Sequence, residues 1–297
     1  MQVFVRIVDT ASFSRAAEML RLPKATVSTS IQALESHLGV KLLNRTTRRV
    51  HVTPDGAAYY ARCVRILAEI DETESALGGA QSAPRGKLRV DVGAAFGRRM
   101  LIPALPEFFR RYPDLRLDLG CSDRPVDLIE EGIDCVVRGG PFIEQTLVAR
   151  QVGAVQIVFC ATPGYLAERG VPTHPRELEN HRFVNYFARR WGNFLSWNFN
   201  RDGERIELAL DGIIAVDDSE AYLEAGLAGL GVFAMATFMV DDALADGRLT
   251  RLLADWQTDP VPIYVMYPQH RHLSAKVRVF AEWVGDLVQR YTHRAQH

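Results

Sequence analysis

Between Lys24 and Ser36 the sequence KATVSTSIQALES places short, uncharged hydrogen-bonding side chains at helical spacing. Drawn at about 100° per residue, Ala25, Ser28, Thr29, Gln32 and Ser36 fall on one side of a helix, where solvated faces usually favour Lys and Glu. The chemistry open to such a face is recognition of base edges. Gln can bond bidentately to adenine, Ser and Thr can reach bases or phosphates, and Ala permits close approach to a thymine methyl. Lys24, with Arg45, Arg48 and Arg49 in the following LLNRTTRRVHV, adds cations suited to phosphate or minor-groove contact. Taken by itself the helix face could equally be a solvated polar face, and the cations an ordinary basic surface.

A second set of residues lies where helices are expected to begin after short apolar strands, because unpaired N–H groups and the helix dipole attract anions there. Ala95, Phe96, Gly97 and Arg98 follow LRVDVG, and Asp218 and Ser219 follow IIAV. The strand IDCVVR delivers Arg138 and Gly139, and RFVNYF delivers Tyr186 and Phe187. Helix N-termini at Phe96 and Ser219 with Arg98 or Arg138 nearby would give a positive pocket with an aromatic wall, suited to a small organic anion such as a carboxylate. Alternatively, Arg138 pairs with an acid such as Asp134 or Glu131 and braces the structure, leaving a neutral pocket.

Other chemistries find little support. No GxSxG, HExxH or P-loop occurs, and no acid, base and nucleophile set can be named, so an enzyme is not expected. GLAGLG (226–231) has the reverse order of a dinucleotide motif and reads as a close helix–strand packing turn. The four cysteines are far apart and form no CxxC or Cys/His cluster, so neither metal nor disulfide framework is expected, and no cofactor. No run of about eighteen apolar residues exists and the N-terminus lacks signal-peptide order, which predicts a cytoplasmic chain with no membrane partner. The aromatic-rich WGNFLSWNF (191–199) reads as core packing or, alternatively, a lid.

The elements that must position these residues follow from periodicity and local signals. Val27, Ile31, Leu34 and Leu38 form a buried stripe opposite the polar face. Before it, SFSRAAEML offers a cap at Ser12 or Ser14 and a short helix; a tight turn at Arg21, Leu22 and Pro23 follows, with Pro23 suited to the first helical position and Gly39 to the helix end. That pair is a helix-turn-helix. Leu42 and Leu43, then Val50 and Val52, flank a polar turn and predict a two-stranded wing. Thr53, Pro54 and Asp55 open a helix running to about Leu77. Along it Tyr59, Cys63, Ile66, Ile70 and Leu77 lie on a heptad-like seam expected to meet a second subunit. GGAQSAPRG is a linker, and beyond it strands alternate with helices over more than 200 residues, an α/β region. Residues 1–54 hold eight Lys or Arg against three acids, a net +5, which leaves −6 for the rest of a chain at −1. Only the first part is suited to a polyanion.

SFSRAAEMLRLPKATVSTSIQALESHLGVKLLNRTTRRVHVTPDGAAYY closely resembles the N-terminal domain of LysR-type transcriptional regulators. RGKLRVDVGAAFGRRMLIPALPEFFRRYPDLRLDL, VDLIEEGIDCVVRGG and VDDSEAYLEAGLAGLGVFAMATF resemble the effector domain of the same family. The resemblance implies a winged helix-turn-helix at 1–54, a linker and dimerisation helix with a hinge at 55–84, and a two-lobed, periplasmic-binding-protein-like effector domain at 85–297. Lobe I would span about 88–160 and 266–297, lobe II about 161–265, with the segments named above bordering the cleft between them. The implied partners are double-stranded DNA, a small-molecule effector and a second copy of the chain, as homodimer or homotetramer; RNA polymerase is a candidate further partner. The competing reading is a small-molecule binding protein with a vestigial DNA-binding domain. Family members usually carry several residues before the position of Met1, so a shortened first helix is expected, and Ala11 stands where they usually have Gly.

Overall fold

The protein, described here by a computed structural model, divides into two compact units, Met1–Ser82 and Ala83–His297. The structure describes residues 1–45, 50–77, 84–140, 147–187, 196–268 and 274–294, with the backbone alone at residues 45, 65, 68–69, 71–77 and 293–294.

In the first unit α1 (Gln2–Thr10), α2 (Phe13–Leu20) and α3 (Lys24–Leu38) precede a hairpin of β1 (Leu43–Arg45) and β2 (Val50–Val52), and α4 (Pro54–Leu77) follows. Local chemistry sets most of the ends. Ser12 accepts the Arg15 N–H at 3.3 Å and Thr53 accepts the Gly56 N–H at 2.9 Å, each satisfying a donor that the first helical turn leaves unpaired. Gly39 ends α3 at φ 70°. Pro23, expected as the first helical residue, instead stands one position earlier as the N-cap of α3, so Lys24 opens the helix. Ala11 ends α1 at φ 49°, a left-handed backbone that strains a residue carrying a Cβ.

Phe4, Ile7, Ala16, Ala17, Val27, Ile31, Leu42, Leu43 and Cys63 close the core of this unit. Two expectations change here. Leu38, placed on the buried stripe of α3, is 36% exposed, because the chain turns away at Gly39; Glu35 is buried in that neighbourhood instead, at 5%. The seam on α4 is also divided. Tyr59 packs on Phe4 with ring centroids 5.6 Å apart and Cys63 is fully buried, so these two face their own unit because α1 covers them. Ile66 and Ile70 remain 41% and 45% exposed; the side chain of Leu77 lies outside the described residues.

The second unit begins with β3 (Gly86–Val92) and α5 (Ala94–Phe96), which continues through a wider helical turn at Gly97–Leu101 into α6 (Ile102–Arg111). Then come β4 (Leu115–Cys121), β5 (Cys135–Gly139) and β6 (Leu147–Val155), after which the chain crosses to a second lobe. That lobe holds β7 (Ile157–Ala161), α7 (Pro163–Arg169), β8 (Phe183–Tyr186), β9 (Ser196–Arg201), β10 (Glu204–Ala209), β11 (Gly212–Val216), α8 (Ser219–Leu227), β12 (Phe233–Ala236), α9 (Thr237–Ala245), β13 (Thr250–Leu252) and β14 (Gln257–Thr258). The chain returns through β15 (Val261–Pro268) and ends on α10 (Ala275–Arg294).

Lobe I is a five-stranded sheet in the order β4-β3-β5-β15-β6, with β3 parallel to β4 and β5 and with β15 antiparallel to both of its neighbours. Phe108, Phe280 and Trp283 pack together beside it, Phe108 and Trp283 at 4.8 Å. In lobe II, β12-β7-β13 and the parallel pair β11-β8 carry the core, closed by Phe159 and Phe199 at 4.8 Å. The crossings fall between Val155 and Ile157 and between Thr258 and Val261, a few residues before the 160/161 and 265/266 boundaries expected. The apolar run VQIVFCA hides the first break, because Gln156 alone separates two strands that belong to different sheets. The turn at GLAGLG packs closely, as expected: any Cβ at Gly226 would collide with the Phe233 ring. Phe199 and Trp197 sit in or against the lobe II core, while 191–195 lie outside the described residues.

Candidate nucleic-acid interface and effector cleft

On α3 the burial of Val27 and Ile31 in the core leaves Lys24, Ala25, Thr29, Gln32 and Ser36 exposed, with Ser28 half-buried beside them. The Thr29 hydroxyl donates to Ala25 O at 3.0 Å, so its methyl and oxygen lone pairs are what it can offer outward. The hairpin pairs Leu43 with Val52, Asn44 with His51 and Arg45 with Val50, which places Arg45 at the end of the wing. Arg48 and Arg49 lie outside the described residues. Glu35 joins the two parts. Its carboxylate accepts the N–H groups of Leu42 and Leu43 at 2.9 and 3.1 Å and the Lys41 ammonium at 3.0 Å. Burial pushes the Glu35 carboxyl upward, but the Leu43 amide, Lys41 and the Leu42 amide together outweigh it and hold the group below the ordinary carboxylate range. Thr53 completes the base of the wing, its hydroxyl donating to Lys41 O at 2.7 Å and its N–H to Leu42 O at 3.0 Å.

In the second unit one residue that was not expected, Asp123, meets Ser219 directly and acts electrostatically on Tyr186. One oxygen of this carboxylate accepts the Ala94 N–H and the other the Ser219 N–H, both at 2.8 Å. The two helix N-termini nominated as anion-binding positions are therefore filled by the chain's own carboxylate. Asp218 accepts the Ala221 N–H at 2.8 Å and serves as the local cap of α8. The hydroxyls of Ser122 and Ser219 are buried and have no hydrogen-bond partner among the described residues. Burial, first, and then the carboxylates of Asp123, Asp218 and Asp217 push the Tyr186 phenol far above its usual value against the opposing pull of Arg138.

Arg138 does not meet either of its expected partners. It forms an ion pair with Asp91, which is only 6% exposed on β3, and reaches Val137 O at 3.0 Å. Glu131 pairs with Arg124 at 3.2 Å, and Asp134 takes the Lys276 ammonium at 3.3 Å. The register explains the choice: β3 and β5 are parallel neighbours with Asp91 opposite Val136, which brings Arg138 to the Asp91 carboxylate. Gly120 on β4 leaves the space that this carboxylate occupies.

Phe96 and Gly97 are buried and serve packing. Phe96 meets Phe238 edge-on at 6.4 Å, and a Cβ at Gly97 would lie 2.5 Å from Cys121 Sγ. Arg98 and Gly139 are exposed, and Tyr186 and Phe187 are half-buried. Asp123 was legible by the same rule that nominated the other segments, since Ser122 and Asp123 directly follow the strand LRLDLGC. A cavity of about 230 Å³ is lined by Arg99, Met100, Pro103, Glu107, Arg290 and Tyr291 among others, and none of the expected cleft residues lines it. Among the described residues no group of His, Cys, Asp and Glu could hold a metal, and no helix is long and apolar enough to cross a membrane.

A helix-turn-helix with its polar face outward and a wing, followed by a two-lobed α/β unit, defines a DNA-binding regulator with an effector-binding domain. Residues 1–57 match the bacterial regulatory helix-turn-helix protein, lysR family, and residues 81–289 match the LysR substrate binding domain. The chain belongs to the LysR family of transcriptional regulators. It is 40% identical to a transcriptional repressor of Pseudomonas aeruginosa over 97% of this chain and 90% of that protein. Against the regulator YhjC of Escherichia coli it is 38% identical over 98% and 97%. Among solved structures, CrgA of Neisseria meningitidis, described as a LysR-type transcriptional regulator, shares 32% identity and a TM-score of 0.56 over 97% of this chain and 96% of that one.

Proposed function

We propose that this regulator reads DNA sequence through Ala25, Ser28, Thr29, Gln32 and Ser36, takes phosphate contacts from Lys24, Arg45, Arg48 and Arg49, and works as a homodimer or a tetramer of two dimers. The observation that carries the reading is the outward, uncharged hydrogen-bonding face of α3 opposite a fully buried Val27 and Ile31. A dimer is supported by Ile66 and Ile70, adjacent in helical spacing and exposed on α4, which is where a partner helix would cover them.

The effector, in this reading, is a small organic anion bound between the lobes near Arg98, Tyr186 and Ser219. The exposed Arg98 and the buried Ser122 and Ser219 hydroxyls, which have no hydrogen-bond partner among the described residues, support an anion there; the two helix N-termini are held by Asp123, and the Asp91–Arg138 pair moves the expected charge from Arg138 toward Arg98. Effector binding shifts the equilibrium among lobe arrangements by differential affinity and so alters the spacing of the DNA-binding heads. Duplexes selected from a random pool and footprinted with and without a panel of carboxylates test the reading. An imperfect palindrome whose footprint changes with one carboxylate supports it; no enrichment over non-specific binding contradicts it.

A further inference from the structure

Asp123 sits where lobe I meets lobe II and is bonded to one helix of each. We propose that Asp123 is an interlobe latch, in which the chain supplies its own anion to the first amide of one helix in each lobe. The geometry is two-sided. Asp123 follows β4 in lobe I; its Oδ1 lies 2.8 Å from Ala94 N, 29 residues away in the same lobe, and its Oδ2 lies 2.8 Å from Ser219 N, 96 residues away in the other. Ala94 opens the helical run that continues to Arg111, and Ser219 opens the nine-residue α8.

An ordinary cap would need only one of these bonds. α8 already has one of its own, the Asp218 carboxylate on the Ala221 N–H, so the bond from Asp123 is an additional one from across the lobe boundary. The same turn of α8 carries a second contact between the lobes, Glu220 with Arg99 at 3.2 Å, and the Phe96–Phe238 ring pair spans the boundary as well. A carboxylate with both oxygens on helix N-termini gains from charge-assisted hydrogen bonding and from two dipoles at once, and only the arrangement that brings both helices together offers that. Beside it, the buried hydroxyls of Ser122 and Ser219 have no hydrogen-bond partner among the described residues, polar groups that a molecule replacing the Asp123 carboxylate would find ready. If the effector is an anion, as proposed above, it enters by competing with Asp123 for these amides. The latch itself rests on these two bonds, needs no effector for its test and stands apart from that step.

Chemical rescue on the full chain tests it, because acetate is the Asp side chain detached from the backbone. Hydrogen exchange followed by mass spectrometry reads the peptides that contain Ala94 and Ser219. In Asp123→Ala both should exchange faster, by roughly tenfold or more for the loss of a charge-assisted bond at each. Acetate should restore both together, while acetamide at equal concentration and ionic strength should not, and wild type should respond to neither. Asp123→Asn keeps the shape but can accept at only one amide, so it should release one lobe's peptide and leave the other protected. The latch is overturned if Asp123→Ala leaves either peptide at its wild-type rate, if acetamide rescues as well as acetate, or if Asp123→Asn protects both peptides like wild type.

Discussion

The carboxylate of Glu35 accepts the backbone N–H of Leu43 at 3.1 Å, which ties the DNA-reading helix to the first strand of the wing. The Leu42 N–H and Lys41 ammonium share the same carboxylate, which is itself buried although the Lys41 side chain stays in water. Removing it strands two buried donors, so Glu35→Ala should cost about 3 kcal/mol or more in unfolding free energy. The carboxyl is held below its unfolded value, so its contribution is present above the ordinary carboxylate range and is lost as pH falls through the folded value. Denaturant titrations from neutral pH into the acid range should show wild type losing stability that Glu35→Gln does not have to lose. Equal pH slopes for the two proteins would show that Glu35 plays no such part.

Ala11 carries a Cβ at φ 49°, where glycine is unstrained. Ala11→Gly should raise stability by about 1 kcal/mol, visible as a higher denaturant midpoint with an unchanged slope. A lower midpoint would mean that the unfolded-state entropy of glycine outweighs the relieved strain.

Arg138 is the counter-charge of Asp91, and its removal should leave that carboxylate stranded among apolar strands. With 22% of the Arg138 side chain accessible and 9% of Asp91, Arg138→Ala should destabilise the effector unit by roughly 3 kcal/mol, the low end for a broken buried pair. The pairing corrects the expectation of an Arg138 free for a ligand. Arg98→Ala, on an exposed side chain, should leave thermal stability unchanged and weaken carboxylate binding in calorimetry. An Arg138→Ala protein as stable as wild type would refute the bracing role.

Among the described side chains of the α4 seam, Ile66 and Ile70 are those that their own unit leaves uncovered. Ile66→Asp with Ile70→Asp should give monomers in sedimentation and much weaker operator binding, since charges replace buried apolar contacts between subunits. A dimer unchanged in mass would remove α4 from the subunit contact.

Why some of this could be read from sequence and some not follows from distance along the chain. Ser12 and Thr53 declare themselves because a cap bonds three residues away, Gly39 because a left-handed helix end favours glycine, and Val27 and Ile31 because a helix repeats over a similarly short span. The choice of Asp91 over Asp134 for Arg138 depends on which strands lie side by side, 47 residues apart in sequence, and no local pattern carries that. Asp123 is similar, with partners 29 and 96 residues away. Cys63 misled because a heptad spacing states that a face is apolar without stating what covers it; here α1 does, by way of Phe4 and Ile7.

The most direct test of the account is the binding of full-length protein to duplexes selected by the wild type, compared with single-base variants of the site over a range of salt. Gln32 stands exposed in the middle of the polar face of α3, so Gln32→Ala should flatten discrimination at one base pair per half-site, by roughly 1 to 3 kcal/mol, with the salt dependence unchanged. Arg48→Ala and Arg49→Ala should weaken every sequence alike and reduce the slope of log K against log salt by about one for each lost phosphate contact. A Gln32→Ala protein that ranks all base variants as wild type does would contradict the central claim that this face of α3 reads DNA.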